Sequence, residues 1–314
     1  KSRIITEEEL NKNPYTFIFN NAAFDLKTMK IVPADRGEYN TISCGYDYEE
    51  RSEDRIGELN DIISSIFLVV VEKICYLSIL CTMLLAFTLE NFIIANGSGR
   101  NGKGVLNELA QIMLGGYGYV APVAVLVEKK KTGACPEIAN MHNKRGIFYR
   151  EPDKKQPLNL ATIKELTGGS EISVRNLYKS DTKTRLVGTQ LMECNDKPNI
   201  RGNVEDDAAK ERLIDVPFRN SFTSDKTRVD HKTYFPVNPY YKTNEFKLKY
   251  RMSLFHILCP YLKKYIDAGR NLTEFVPKSI KERTAEYLDN CNEFKTWFYD
   301  NYEDFSIDIR TKNK

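Results

Sequence analysis

The sequence predicts an α/β protein in which helices cover both faces of a parallel β-sheet that carries a phosphate-binding loop. The apolar run 92–95 predicts a buried strand, and a glycine-rich turn follows it directly. Apolar residues at helical spacing over 105–113 then predict a helix that ends at Gly115 and Gly116. Downstream, further apolar runs alternate with helical segments, and 314 residues allow one to three domains with ample core.

The turn 97–103 has the spacing G-x-x-x-x-G-K. Its glycines allow backbone N–H groups to surround a phosphate, and the helix start adds the positive end of its dipole. We expect Lys103 to reach the β- and γ-phosphates of ATP. The predicted nucleotide-binding residues are Gly97, Ser98, Gly99, Arg100, Asn101, Gly102, Lys103, Gly104 and Val105. The alternative is an ordinary glycine-rich turn between a strand and a helix.

Position 104 departs from the phosphate-loop pattern. A Ser or Thr hydroxyl normally binds Mg²⁺ there, whereas this chain has Gly104. The departure weakens the expectation of efficient hydrolysis more than that of nucleotide binding. It leaves open a nucleotide-dependent oligomeric scaffold with little or no turnover.

Composition limits the other classes of function. A net charge of +3 is too small to indicate a nucleic-acid partner, so any basic surface must be local. Seven cysteines without CxxC pairs predict free thiols in a reducing compartment. Three isolated histidines argue against a histidine-rich metal site. The chain begins at Lys1 with no signal peptide, and we expect it to be part of a longer protein.

The apolar stretch 62–95 raises the question of a membrane span. Glu72 and Lys73 interrupt it, and the uncharged run 74–89 is shorter than the ~20 residues that a spanning helix needs. We therefore expect two packed core helices and no membrane partner, with a membrane span as the alternative.

The remaining elements follow from local patterns. We expect strands over 15–19 and 24–32, helices over 54–87, a β-rich run over 120–127, a short helix over 136–142, a buried strand over 145–149, a helix over 160–166, a hairpin of 171–178 and 184–193, a strand over 212–218, a loop over 220–244, and helices over 247–268 and 277–302. The corresponding domains are a region before the nucleotide-binding core (1–50), a helical module (51–88), the core (89–222) and a C-terminal helical region (223–314).

Ligands of parallel sheets bind beyond the carboxyl ends of the strands. Glu151 follows the strand that includes 147–149, and it would hold Mg²⁺ or polarise the attacking water, with Asp153 as a second carboxylate. Asn195 follows the run 186–191 and would orient the water. The alternatives are a surface glutamate and a turn residue before Pro198.

Arg212 is the candidate arginine finger, the cation that a neighbouring subunit of a ring places against the γ-phosphate. Lys210 is the second candidate for that role. A structural salt bridge of Arg212 with Glu211 or Asp215 is the alternative.

The hairpin tip predicts a DNA contact. Arg175, Lys179 and Lys183 can bind successive phosphates, and Tyr178 can stack on a base. Solvated lysines on an exposed turn are the alternative.

Five segments together resemble superfamily 3 helicases, and more narrowly the poxvirus-type primase–helicases of large DNA viruses. They are the loop 97–103, Arg150-Glu151-Pro152, the stretch IKELTGGSEISVRNLY at 163–178, NDKP at 195–198 and RLIDVPF at 212–218. The N-terminal 13–26 and 45–48 resemble the region that precedes the helicase in these proteins.

The resemblance implies an AAA+ type ATPase that forms a hexameric ring, uses ATP and Mg²⁺, and moves along single-stranded DNA during viral DNA replication. It also implies that Lys103 is the phosphate-loop lysine, Glu151 the acidic motif, Asn195 the sensor and Arg212 the finger. A primase domain or other replication proteins would be partners. A DNA-packaging or transposition ATPase shares this core and remains an alternative.

Overall fold

The computed structural model describes residues 9–127, 136–152, 156–174 and 182–292. In chain order its strands are β1 (Thr16–Ile18), β2 (Ala23–Asp25), β3 (Lys30–Val32), β4 (Thr88–Asn96), β5 (Gly118–Ala121), β6 (Gly146–Tyr149), β7 (Leu158–Asn159), β8 (Glu171–Val174), β9 (Thr182–Arg185), β10 (Gly188–Cys194), β11 (Ile200–Arg201), β12 (Leu213–Pro217), β13 (Ser221–Thr223) and β14 (Tyr234–Pro236). Its α-helices are α1 (Glu53–Ile66), α2 (Val70–Thr82), α3 (Lys103–Leu114), α4 (Ala124–Val127), α5 (Pro136–Ala139), α6 (Leu160–Thr167), α7 (Asp207–Arg212), α8 (Asn244–Asp267) and α9 (Lys278–Asn290).

The central sheet has five strands in the order β12-β4-β10-β6-β5, and every pair in it is parallel. β4, the strand that leads into the glycine-rich loop, lies between β12 and β10. Parallel neighbours need crossover connections, which the intervening helices provide. The predicted α/β class with a parallel sheet is confirmed.

Both faces of this sheet are covered. In β4, Ile93 and Ala95 belong to one buried apolar cluster, whereas Phe92 and Ile94 belong to a second. Successive side chains of a strand point to opposite faces, so the two clusters lie on opposite sides of the sheet. Helices α1, α2, α3 and α8 contribute to the first cluster, and α6 and α7 contribute to the second.

The antiparallel sheet β1-β2-β3 joins the first cluster. The rings of Phe17, Phe19 and Phe24 all lie against Phe255 of α8, with centroid separations of 5.1–5.4 Å. The chain just after this sheet also contacts the end of α3. There a Cβ added to Gly115 would lie 1.8 Å from the Cys44 carbonyl oxygen, and the Tyr46 hydroxyl donates to the Met113 carbonyl at 2.5 Å. The N-terminal segment is therefore in direct backbone contact with the helix that follows the glycine-rich loop.

Helices α1 and α2 form the predicted helical pair. Within the described ranges, no single helix is long and apolar enough to cross a membrane. These two helices pass that test only as a pair, by length and composition, and they are bent by 118° where they meet.

Two predicted strands differ from the structure. The run 120–127 is a strand only as far as Ala121, after which α4 begins. Pro122 has no N–H, so it cannot continue the ladder, and its carbonyl accepts from Val125 in a turn. The run 184–193 divides at Gly188, where φ is +101° and a Cβ would lie 2.2 Å from the Arg145 carbonyl oxygen.

The division at Gly188 separates two strands with different partners. β9 pairs with β8 in the predicted hairpin, while β10 enters the central sheet. The hairpin tip, 175–181, lies outside the described residues.

The region predicted as a loop, 220–244, contains the short parallel pair β13 and β14. The last predicted helix is α9 as far as Asn290, and residues beyond 292 lie outside the described ranges.

Candidate active site

The glycine-rich loop follows β4 and wraps back over the start of α3. Gly99, Arg100 and Gly102 have φ values of +76°, +49° and +83°, a region that favours glycine. At Gly97 a Cβ would lie 2.3 Å from the Phe218 carbonyl oxygen, so only glycine fits against β12. The sequence pattern therefore produces the tight backbone path that directs N–H groups towards a phosphate.

Lys103 begins α3 and its side chain folds back into the loop. The residue is 7% exposed, and its ammonium donates to the Gly97 carbonyl at 3.0 Å and to Asn195 Oδ1 at 2.7 Å. Burial lowers the pKa of this lysine, and the negative charge of Glu193 opposes that shift. A buried cation with two neutral partners favours the approach of an anion.

Glu151 and Asn195 lie at the carboxyl ends of the adjacent strands β6 and β10. One carboxylate oxygen of Glu151, Oε1, accepts from the backbone N–H of Asn195 at 3.0 Å and from that of Asp196 at 2.9 Å. Because Asn195 also accepts from Lys103, the three predicted residues form one connected hydrogen-bonded group. The structure brings them together as the strand-end rule requires.

Sequence reasoning missed Glu193, which lies on β10 two residues before Asn195. Its Oε2 accepts from Asn107 Nδ2 of α3 at 3.0 Å, and the Tyr76 hydroxyl of α2 donates to Asn107 Oδ1. One signal was available. Glu193 is the single acid in a run of otherwise buried residues, and its alternation with Leu191 places it on the face that α3 covers.

These residues line an open cleft of about 740 Å³. Five basic side chains face three acidic ones there: Arg100, Lys103, Arg150, Lys242 and Lys247 against Glu108, Glu151 and Glu193. Lys247 of α8 pairs with Glu108 of α3 at 2.5 Å, a contact between residues far apart in sequence. This balance suits a polyanion that carries a divalent cation.

The acidic side chains of the cleft fit the requirements of Mg²⁺. Among the described residues there is no group of three or more His, Cys, Asp or Glu that could hold a metal ion by itself. Magnesium in nucleotide sites needs no such cage, since one or two carboxylates, water and the substrate phosphates complete its shell. Glu151 and Glu193 are the carboxylates available beside Lys103 and Gly104.

Arg212 lies at the amino end of the parallel strands, whereas the loop lies at their carboxyl end. It ends α7 immediately before β12, where Leu213 pairs with Phe92, on the order of 13 Å along β4 from Asn96. Its Nη1 donates to Thr167 Oγ1 at 3.2 Å. Arg212 therefore cannot serve the cleft of its own chain, and the role of a finger towards a neighbouring subunit stays a prediction.

The salt-bridge alternative for Arg212 named Asp215 as a partner. In the structure Asp215 is fully buried and pairs with Lys197 and Arg283, both at 2.9 Å. Lys210, the second candidate finger, lies 3.5 Å from Asp207 in an exposed pair.

Other predicted site residues stay untested. Asp153, Arg175 and Lys179 lie outside the described residues. The backbone of Lys183 lies in β9, opposite Ser173 of β8. Their proposed contacts with Mg²⁺ and DNA therefore stay predictions.

Comparison with known proteins agrees with the resemblance to the primase–helicases of large DNA viruses. The family profile described as "D5 N terminal like" matches residues 2–68. The chain is 27% identical over 301 residues to "Putative helicase L207/L206" of Acanthamoeba polyphaga mimivirus, covering 93% of this chain and 31% of that protein. It is 26% identical over 281 residues to "Primase D5" of Fowlpox virus, covering 84% and 35%. This chain is related to the poxvirus-type primase–helicase-like proteins.

A third relative and two solved structures extend the comparison. "Putative helicase 022R" of Frog virus 3 is 29% identical over 150 residues, covering 45% of this chain and 15% of that protein. Two apo structures of the NrS-1 C-terminal region align with TM-scores of 0.52 and 0.50, covering 87% and 81% of this chain and 58% and 53% of theirs. At 10% identity they support the fold alone. The chain spans about a third of the length of its first two viral relatives.

Proposed function

We propose that this chain is the ATP-hydrolysing core of a superfamily 3 helicase that forms a ring and moves along single-stranded DNA. The observation that carries the proposal is the hydrogen-bonded group of Lys103, Asn195 and Glu151 beside the glycine-rich loop. A lysine at the start of the helix after the loop, together with an amide and a carboxylate at two neighbouring strand ends, provides the parts that phosphoryl transfer needs. The names of the viral relatives, which include helicases and a primase, support the same reaction class.

Each residue of the group has a chemical role in this proposal. Lys103 exchanges its contacts with Gly97 and Asn195 for phosphate oxygens, which are stronger, charged acceptors. Glu151 is held by two N–H donors on Oε1, and its other oxygen polarises the attacking water. The released amide of Asn195 orients that water. Bound Mg²⁺ supplies neutralisation of the developing phosphate charge.

The ring completes the site in this proposal. Arg212, remote from its own cleft, reaches the triphosphate of the neighbouring subunit and stabilises the transition state. The hairpin of β8 and β9 presents its cations to single-stranded DNA. ATP and Mg²⁺ are the cofactors, and a hexamer active in viral DNA replication, in the host cytoplasm or at a viral replication site, is the assembly that we propose.

Lys103→Ala tests the enzymatic part. We expect at least about a 100-fold loss of ATP turnover, because the substitution removes a preorganised cation from the phosphates. ATP hydrolysis is measured with and without single-stranded DNA. The matched control is Lys278→Ala, which removes an exposed lysine that pairs with Glu282 on α9. Equal turnover by wild type and Lys103→Ala would remove the enzyme assignment.

A scaffold that binds nucleotide without turnover is the second candidate, and Gly104 is the observation that favours it. Gly104→Ser restores the missing hydroxyl. The control is Gly57→Ser, the same substitution at an exposed position of α1. Turnover that is absent in wild type and robust in Gly104→Ser would establish the scaffold. Substantial turnover in wild type would exclude it.

A further inference from the structure

Position 104 is the point at which the loop lacks a metal-binding oxygen. Gly104 is the second residue of α3, directly after Lys103. Apart from its chain neighbours and its own helix backbone, a Cβ built there meets one atom of the described residues within 4 Å, Glu193 Oε2 at 3.9 Å. A serine hydroxyl would extend further by about one bond length, so the carboxylate of Glu193 borders the space that such a hydroxyl would occupy.

The position of Glu193 is set by the sheet register. β10 pairs with β4 so that Glu193 lies opposite Ala95 and Cys194 opposite Asn96, the last residue before the loop. The carboxylate therefore emerges beside the first turn of α3. It lines the same cleft as Lys103 and Glu151.

A buried polar chain fixes the orientation of Glu193. Asn107 is 1% exposed and Tyr76 is completely buried. The Tyr76 hydroxyl donates to Asn107 Oδ1, so the amide nitrogen of Asn107 must face the carboxylate, to which it donates at 3.0 Å. Because only Oε2 accepts this bond, the charge of Glu193 is held at the cleft with oxygen capacity to spare.

We propose that Glu193 supplies, directly or through one water, the protein oxygen for nucleotide-bound Mg²⁺ that Gly104 cannot provide. This inference rests on the proposed function, since it requires ATP in the cleft. An anionic carboxylate oxygen is a hard ligand of the type that Mg²⁺ prefers. Glu151 is less free to replace the hydroxyl, because its Oε1 already accepts two backbone N–H groups.

The competing explanation is that Glu193 serves only as the packing partner of Asn107. Glu193→Gln separates the two roles, because the amide oxygen of glutamine can still accept from Asn107 while the charge is lost. A structural role predicts no change in metal affinity. A metal-binding role predicts a loss that a hydroxyl at position 104 repairs.

The experiment titrates Mn²⁺ into protein saturated with the non-hydrolysable analogue AMP-PNP and follows bound metal by electron paramagnetic resonance. The proteins are wild type, Glu193→Gln, Gly104→Ser and the double variant. Glu286→Gln, an exposed glutamate of α9, is the matched control. AMP-PNP affinity in EDTA is measured alongside. Thermal melting checks that each variant is folded.

We expect Glu193→Gln to lower Mn²⁺ affinity by about 10- to 100-fold, with AMP-PNP affinity in EDTA unchanged or higher. Gly104→Ser should improve Mn²⁺ affinity more in the Glu193→Gln background than in wild type, because the two oxygens replace each other. Wild-type Mn²⁺ affinity in folded Glu193→Gln would overturn the inference alone. No AMP-PNP binding by wild type, with or without metal, would overturn the proposed function as well.

Discussion

At the scale of single residues, Lys103 shows how burial prepares a side chain for its ligand. Among the described residues its ammonium donates to one carbonyl and one amide oxygen, and desolvation lowers its pKa. A triphosphate would add negative charge within the same space, which favours the protonated form and raises the pKa again. Between the lowered pKa of the free protein and the raised pKa of the complex, binding must therefore take up a proton.

Proton uptake by Lys103 can be measured by calorimetry. We expect ATP binding in alkaline buffer to consume up to about one proton per site, so the heat differs between two buffers of unlike ionisation enthalpy. Uptake should disappear at lower pH, where Lys103 is already protonated. Lys103→Arg is the control, because a guanidinium stays charged throughout and takes up nothing. Equal heats for wild type in the two buffers would contradict the expectation.

At the scale of elements, α9 contacts two strands of the central sheet, β4 and β12, near the start of the glycine-rich loop. Its Arg283 forms an ion pair with Asp215 of β12 at 2.9 Å, and its Nη2 donates to Asn96 Oδ1 at 2.7 Å, at the end of β4. Lys197, in the segment after Asn195, also pairs with Asp215. The Tyr287 hydroxyl donates to the Pro198 carbonyl. One buried carboxylate thus links a helix, a strand and the segment that follows Asn195.

Removal of this carboxylate should destabilise the fold. We expect Asp215→Ala to lower the free energy of unfolding by about 3 kcal/mol, the lower end for a broken buried pair, because Lys197 and Arg283 keep partial access to water. Urea denaturation provides the measurement. Asp267→Ala, which breaks an exposed pair with Lys263 four residues earlier, should cost at most about 0.5 kcal/mol. Similar losses in both variants would show that Asp215 has no special role.

The element scale also explains what sequence could and could not predict. The loop and α3 were predictable because glycine spacing and helical periodicity are local. Glu151 and Asn195 were found because strand ends of a parallel sheet converge. Glu193 and Lys247 were missed, since the first depends on the register of β10 against β4 and the second on where α8 crosses α3. The break at Gly188 depends on contact with Arg145, which no local pattern reveals.

At the scale of the whole molecule, candidate functional residues lie at both ends of the strands of the central sheet. The cleft lies at the carboxyl ends of the strands. Arg212 and the base of the hairpin lie at their amino ends, where the Thr88 hydroxyl donates to the Leu186 carbonyl. β10 connects the two sets of residues, because it starts after the hairpin and ends beside Asn195. In the ring that we propose, this arrangement would give each cleft an arginine from the next subunit and would connect the hairpin to Asn195.

Subunit mixing tests the proposed role of Arg212. We expect Arg212→Ala to bind ATP normally and to lose about 1,000-fold or more in turnover, the loss typical of a missing finger. Mixed in equal amounts with Lys103→Ala subunits, which are inactive themselves but keep Arg212, the variant should regain part of the wild-type turnover, because its intact cleft then receives the arginine of a neighbour. Arg228→Ala, on an exposed turn, is the control. No recovery of turnover in these mixed rings would contradict transfer of the arginine between subunits.

The contact of Gly115 with Cys44 sets a lower limit on the length of chain worth expressing. A recombinant version that starts near residue 89 would lack the residues that cover the C-terminal end of α3. It would also lack the Tyr46 hydroxyl, which donates to the Met113 carbonyl. We expect such a truncation to be insoluble or unfolded, even though it retains the whole glycine-rich loop and the residues of the cleft. Shortened versions for crystallisation should keep the first three strands.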